Sequence, residues 1–205
     1  MQSPRTARST PAASTGGTPD RRRGLWRLVL AAAALLCLVW NGTCAAQSDA
    51  AEYRIKAAYL YKFAGYIEWP AQAFAQGDSP IVIGVAGADA LADELAQIVG
   101  GRSVNGRPLM VKKLTRQDAL KGLHMLFIGR GEAHAADMLA AARSLPLLTV
   151  TELDEDRKGA AASINFVLVD DKVRFDVDLE PAEQAGIKIS SRLLTVARKV
   201  SSKPS

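Results

Sequence analysis

The run Ile81-Val82-Ile83-Gly84-Val85-Ala86 limits the fold more than any other stretch of the chain. It is apolar at every position, rich in β-branched residues, and bounded by Pro80 and Gly87. Without alternation, neither face of such a strand tolerates water, so it must lie inside a sheet covered on both sides. Leu123 to Ile128 and Leu145 to Val150 repeat the pattern, the second after Pro146. Helical stretches separate them. Asp89 to about Val99 is capped by Asp89 and ended by Gly100-Gly101, and Glu132 to Ser144 opens after Gly129-Arg130-Gly131. Alternating strands and helices predict a sheet with a parallel core and helices on both faces. Asn105-Gly106 is a turn before a short strand, Leu109 to Leu114, and Thr115 to Lys121 reads as a helical turn.

A second signal adds an antiparallel part. Ser163 to Val169 and Lys172 to Asp178 alternate on either side of Asp170-Asp171. A two-residue hairpin loop pairs Leu168 with Val173, Phe166 with Phe175 and Ile164 with Val177, all on one face. Val167–Arg174 and Asn165–Asp176 then lie on the other face. The expected fold is α/β: a single three-layer domain whose mixed sheet has a parallel core plus this C-terminal hairpin. Pro181 is placed at the first position of a short helix ended by Gly186. Ile187 to Ile189 is extended, and Ser190 or Ser191 caps a last helix through Val200.

Glu52 to Pro70 reads as one amphipathic helix stopped by Gly65 and Pro70. Tyr53, Ala57, Leu60, Ala64 and Ile67 make a core stripe. Ile55, Tyr59, Lys62 and Tyr66 make another on the far side. With Trp69, the residues Tyr59, Lys62 and Tyr66 are the candidate partner or dimer interface, because aromatic side chains give large contact area at low rotamer cost.

Residues 1–20 are rich in Ser, Thr, Pro, Gly and Ala and are expected to be disordered. Arg21-Arg22-Arg23, the 13-residue apolar run Leu28 to Trp40 and small residues beyond it have the layout of a secretory signal peptide. The run is short for a membrane span, which needs about 20 residues. Cleavage is expected after Ala46, giving 1–46 as targeting segment and 47–205 as one domain in the periplasm. Arg22-Arg23 also fits a twin-arginine signal, but any basic leader supplies such a pair, so the general secretory route is the reading. Residues 1–46 hold six arginines and one aspartate of the chain's 26 basic and 21 acidic residues. The remainder carries 20 of each and no net charge, which removes the support for nucleic-acid binding. Cys37 and Cys44, the two cysteines, also fall in that segment.

Motifs for chemistry are missing from the sequence. There is no Gly-x-Ser-x-Gly elbow, phosphate loop or His-Glu-x-x-His. Gly129-Arg130-Gly131-Glu132-Ala133-His134 imitates a dinucleotide fingerprint, but His134 replaces the third glycine and Glu132 sets a carboxylate where pyrophosphate would lie. His124 is read as a packed neutral histidine and His134 as exposed. The pairs Asp154/Asp156 and Asp176/Asp178 are read as surface, and Glu152 to Gly159 as a solvated loop. No catalytic residue, cofactor or metal is expected. Arg174, Lys188, Ser190 and Arg192 are the candidate anion or small-ligand group, against the simpler reading of Ser190 as a helix cap.

Several stretches, in order, resemble the YfiR family of secreted proteins. They are Lys56 to Phe63 with Glu68-Trp69-Pro70; Asn105-Gly106-Arg107-Pro108-Leu109; Leu126-Phe127-Ile128; Leu148-Thr149-Val150; Val173 to Val177; and Ala185 to Leu194. The resemblance implies a periplasmic α/β domain that dimerises and regulates rather than catalyses. The family's best-known activity is repression of a membrane diguanylate cyclase through that enzyme's periplasmic sensor domain. Family members often carry disulfides that make repression redox-sensitive; residues 47–205 have no cysteine, so that property is not carried over. The expected function is therefore a non-enzymatic regulator acting on a membrane signalling protein. A periplasmic small-molecule binder is the alternative, and a secreted hydrolase the third.

Overall fold

The computed structural model describes residues 49–154 and 162–202. The expectations for residues 1–46, for cleavage after Ala46, and for Asp156 and the rest of the acidic loop to Gly159 lie outside the described residues. No helix among the described residues is long and apolar enough to cross a membrane.

The centre is an eight-stranded mixed sheet. Its strands, in chain order, are β2 (Ile81–Ala86), β3 (Ser103–Val104), β4 (Arg107–Leu114), β5 (Met125–Ile128), β6 (Leu148–Thr151), β7 (Ile164–Val169), β8 (Lys172–Asp178) and β10 (Lys199–Ser201). They lie in the order β10-β8-β7-β6-β5-β2-β4-β3. Strands β4, β2, β5, β6 and β7 run parallel, as the unbroken apolar runs require. The hairpin has the expected register, with Phe166 opposite Phe175 and Ile164 opposite Val177. Asp170 and Asp171 both take positive φ, 49° and 57°, the conformation whose twist matches the flanking strands.

Two apolar clusters cover the sheet. One joins Ile81, Ile83, Val85, Phe127, Val150, Phe166 and Phe175 to helix α1 (residues 49–64) and helix α2 (Asp89–Val99). The other joins Leu126 and Ile128 to Leu123 and to helix α3 (Ala135–Ala142). Gly84 faces the second cluster, where a Cβ would come 2.6 Å from a Leu114 methyl and 2.8 Å from one of Leu123. The domain is thus an α/β sandwich with helices on both faces.

Several element ends differ from the sequence expectations. Helix α1 stops at residue 64, and Gly65 and Tyr66 turn back on the Lys62 and Phe63 carbonyls. The next two residues form β1 (Ile67–Glu68), which pairs antiparallel with β9 (Lys188–Ile189). Ile67 is buried, but from a strand. The inward arc of α1 also takes in Lys56 and Phe63, which the two-stripe reading left out. Helix α2 has Ala88 at its cap position, with Asp89 in the first turn. Helix α3 begins at Ala135, because Glu132 first accepts the His134 N–H. Helix α4 (Leu179–Gln184) is capped by Asp178, so Pro181 sits at its third position rather than its first. Helix α5 (Ser191–Val196) is shorter than expected. Ala197 is extended and the Arg198 N–H bonds to the Phe175 carbonyl, so the chain adds β10 to the open edge of β8 instead of continuing the helix.

Candidate functional site

Helix α1 runs antiparallel to the parallel strands and reaches from one end of the sheet to the other. Its 16 described residues span roughly 24 Å. Its first turns meet the C-terminal strand ends, and the segment after it meets the N-terminal ends.

Open α/β sheets take ligands at the C-terminal strand ends, where neighbouring loops depart to opposite faces. Here that crevice lies between β2 and β5, whose following loops lead to α2 and α3. Main chain fills it. Gly87, at φ 67°, lies so close to the next loop that a Cβ would meet the Glu132 nitrogen at 2.4 Å. A Cβ on Gly129 would come 2.7 Å from the Gly87 carbonyl oxygen. The glycines of the imitation dinucleotide motif therefore serve loop-to-loop contact. Glu132 Oε1 accepts the His134 N–H at 2.8 Å, so a carboxylate already occupies the start of α3.

Beside this contact sits an ionic cluster with a buried Lys56–Glu152 pair at its centre and Arg130 at its exposed rim. Lys56, 1% exposed, bonds to Glu52 and to Glu152. Glu152 Oε1 also accepts the Arg130 N–H at 3.0 Å, and Arg130 Nη2 reaches Glu52 at 3.0 Å. Glu152, 4% exposed, corrects the expectation that it begins a solvated loop. Its charge is tolerated because a lysine and a backbone amide supply what water would. The Lys56 ammonium lies 5.9 Å from the ring centroids of both Tyr53 and Phe166. Burial, followed by the charge of Glu152, raises the pKa of the Tyr53 phenol.

The N-terminal strand ends are closed without fixed buried charge. Trp69 Nε1 donates to the His124 carbonyl at 2.8 Å, and its ring meets His124 and Phe74 edge-on. Phe74 stacks on His124 with centroids 4.3 Å apart. The Arg107 guanidinium lies 3.7 Å from the Phe74 centroid and donates to the Gln76 and Ser79 carbonyls. His124 is buried, in keeping with its expected packing, and burial lowers its pKa. Among the described residues, no buried side-chain nitrogen or oxygen lacks a partner.

The structure separates the residues singled out from the sequence. Tyr59 is half-buried and contacts Phe63, Phe166 and Phe175; Trp69 belongs to the seal just described. Lys62 and Tyr66 are exposed. Arg174 is exposed on β8, whereas Lys188, Ser190 and Arg192 lie on β9 and at α5. Ser190 Oγ caps α5 by accepting the Arg192 N–H at 3.4 Å. Asp176 pairs with Arg198, Asp178 caps α4, and Asp154 is exposed. Sequence reading missed Lys56, Glu52, Glu152, Arg130, Phe74 and Arg107. Only the Glu52–Lys56 pair carried a signal, its helical i,i+4 spacing.

The family model described as YfiR/HmsC-like matches residues 53–198. The chain belongs to the YfiR/HmsC-like family. The match takes in α1 from Tyr53 onward, every strand of the sheet except β10, and the side chains of both seals except Glu52. No curated protein matches the sequence.

Proposed function

We propose that this chain is a non-enzymatic periplasmic regulator that restrains a membrane signalling protein, such as a diguanylate cyclase, by binding its periplasmic sensor domain. The observation that carries this reading is membership of the YfiR/HmsC-like family across nearly all of the described fold. The main-chain contact that fills the β2–β5 crevice supports it, because the usual ligand position of an α/β sheet is taken up by the protein itself. Tyr66 and Lys62, exposed where α1 ends, are the proposed centre of the partner or dimer surface, with Tyr59 and Trp69 fixing the backbone behind them. A small-molecule binder around Lys188 and Arg192 has less support, since Ser190 is used as a cap and Arg174 belongs to the other sheet.

The test is deletion of the gene with measurement of cellular cyclic di-GMP. A rise that the wild-type gene reverses, and a Tyr66→Ala/Lys62→Ala gene does not, is the expected result. An unchanged level, together with failure to retain any membrane protein carrying a periplasmic sensor domain after cross-linking, overturns the reading.

A further inference from the structure

The segment from Pro70 to Pro80 joins β1 to β2 and contains one 3-10 turn, Ala71–Ala73. It crosses the N-terminal strand ends, and its attachment converges on one imidazole. His124 Nδ1 accepts the Val82 N–H at 3.1 Å, and Nε2 faces the Ala73 carbonyl at 3.1 Å. An amide N–H only donates and a carbonyl only accepts, so these partners select the neutral ring protonated on Nε2. Phe74 covers a face of the same ring.

A proton added to Nδ1 has nowhere to go. It would point at the Val82 N–H, replacing a hydrogen bond with two opposed donors, in a side chain only 3% exposed. The charged group facing the ring is a cation, Arg107 on β4. Asp78 in the segment, Glu68 on β1 and Lys121 before β5 are exposed, and the parts of β2 and β6 beside the ring bring no charge. Burial, and to a smaller extent Arg107, hold the pKa below 6.5 against the pull of the Ala73 carbonyl. On acidification the unfolded or detached segment therefore takes up the proton first. The stabilisation supplied by the neutral ring is complete above pH 6.5 and is lost as pH falls through the lower folded-state value.

We propose that His124 makes the 70–80 segment an acid-operated latch, in which protonation at Nδ1 frees this segment and the Trp69–Phe74 edge contact while the eight-stranded sheet stays folded. The inference does not depend on the regulatory reading. It is a property of four side chains, His124, Phe74, Trp69 and Arg107, and of the Val82 N–H and the Ala73 carbonyl.

The experiment uses the full chain with Trp26→Phe and Trp40→Phe, which leaves Trp69 as the single tryptophan. Trp69 emission and acrylamide quenching are followed from about pH 7.5 to about pH 4.5, with far-ultraviolet circular dichroism alongside. The expected result is one transition centred below pH 6.5, with red-shifted emission, stronger quenching and an unchanged dichroism spectrum. His124→Gln, whose amide accepts and donates without titrating, should abolish it, and His134→Gln should leave it intact. No transition, one that survives in His124→Gln, or one accompanied by loss of the sheet overturns the proposal. If His124→Gln does not fold, the His134→Gln chain has one imidazole resonance to titrate. Its midpoint must coincide with the Trp69 change, and a mismatch rejects the latch.

Discussion

The two ends of the sheet are closed by opposite means. At the C-terminal end, Lys56 and Glu152 are buried ions, joined by the partly covered Glu52 and, at the solvent rim, by Arg130. At the N-terminal end, Trp69 meets the stacked Phe74 and neutral His124 edge-on, with the Arg107 charge at the rim. Both fasten the same helix or its continuation. Each buried charge in the first cluster holds another in place, so deleting one strands its neighbour. The second seal is worth less, but one proton can open it. A fixed clasp and a titratable one on the same strut mean that the two ends of α1 need not let go together.

Breaking the clasp should give the largest effect. Glu152→Ala leaves Lys56 buried with a single carboxylate and should cost about 3–5 kcal/mol in urea unfolding. The double variant Lys56→Met/Glu152→Leu should recover most of that loss. A single-variant cost no greater than that of a surface pair would remove the distinction between the ends. Next, Gly129→Ala should cost about 1–3 kcal/mol, because its methyl meets the Gly87 carbonyl and a backbone must move. A neutral result would show that the β2–β5 crevice is roomier than described. At the other end, His124→Ala orphans the Val82 N–H and the Ala73 carbonyl, for about 1–3 kcal/mol at neutral pH. His124→Gln should cost clearly less and flatten the acid limb of the stability profile. Smallest of all, Tyr66→Ala with Lys62→Ala should change stability by about 0.5 kcal/mol or less, as exposed positions do. Any loss of repression by that pair then reports on binding, not on folding.

The contrast also marks what the sequence makes legible. The hairpin is readable to the residue because its rules are local: two aspartates tolerate left-handed angles, and alternation sorts the faces. The parallel strands are readable because burial on both faces removes polar residues. His124 shows its packed character through its apolar neighbours, yet nothing local names Val82 or Ala73 as partners. Glu152 misleads because an acidic stretch after a strand normally meets water, and its lysine lies 96 positions earlier. Strands β1 and β9 have two residues each, too few for any period to show. The end of α5 fails for a related reason. The chain beyond Val196 suits a helix locally, but the open edge of β8 offers backbone partners that sequence periodicity cannot register.

Because α1 comes first among the described elements, its place in the sheet has a consequence in time. During synthesis it is made before anything it rests on: Phe127, Glu152, Phe166 and Phe175 all follow by scores of residues. Contacts so distant along the chain form slowly, since a large loop must close before any of them is rewarded. The Phe166 and Phe175 part of its seat is missing until the β7–β8 hairpin has been made. For most of its synthesis the polypeptide therefore has no finished core, and its closing step joins the oldest element to one of the youngest.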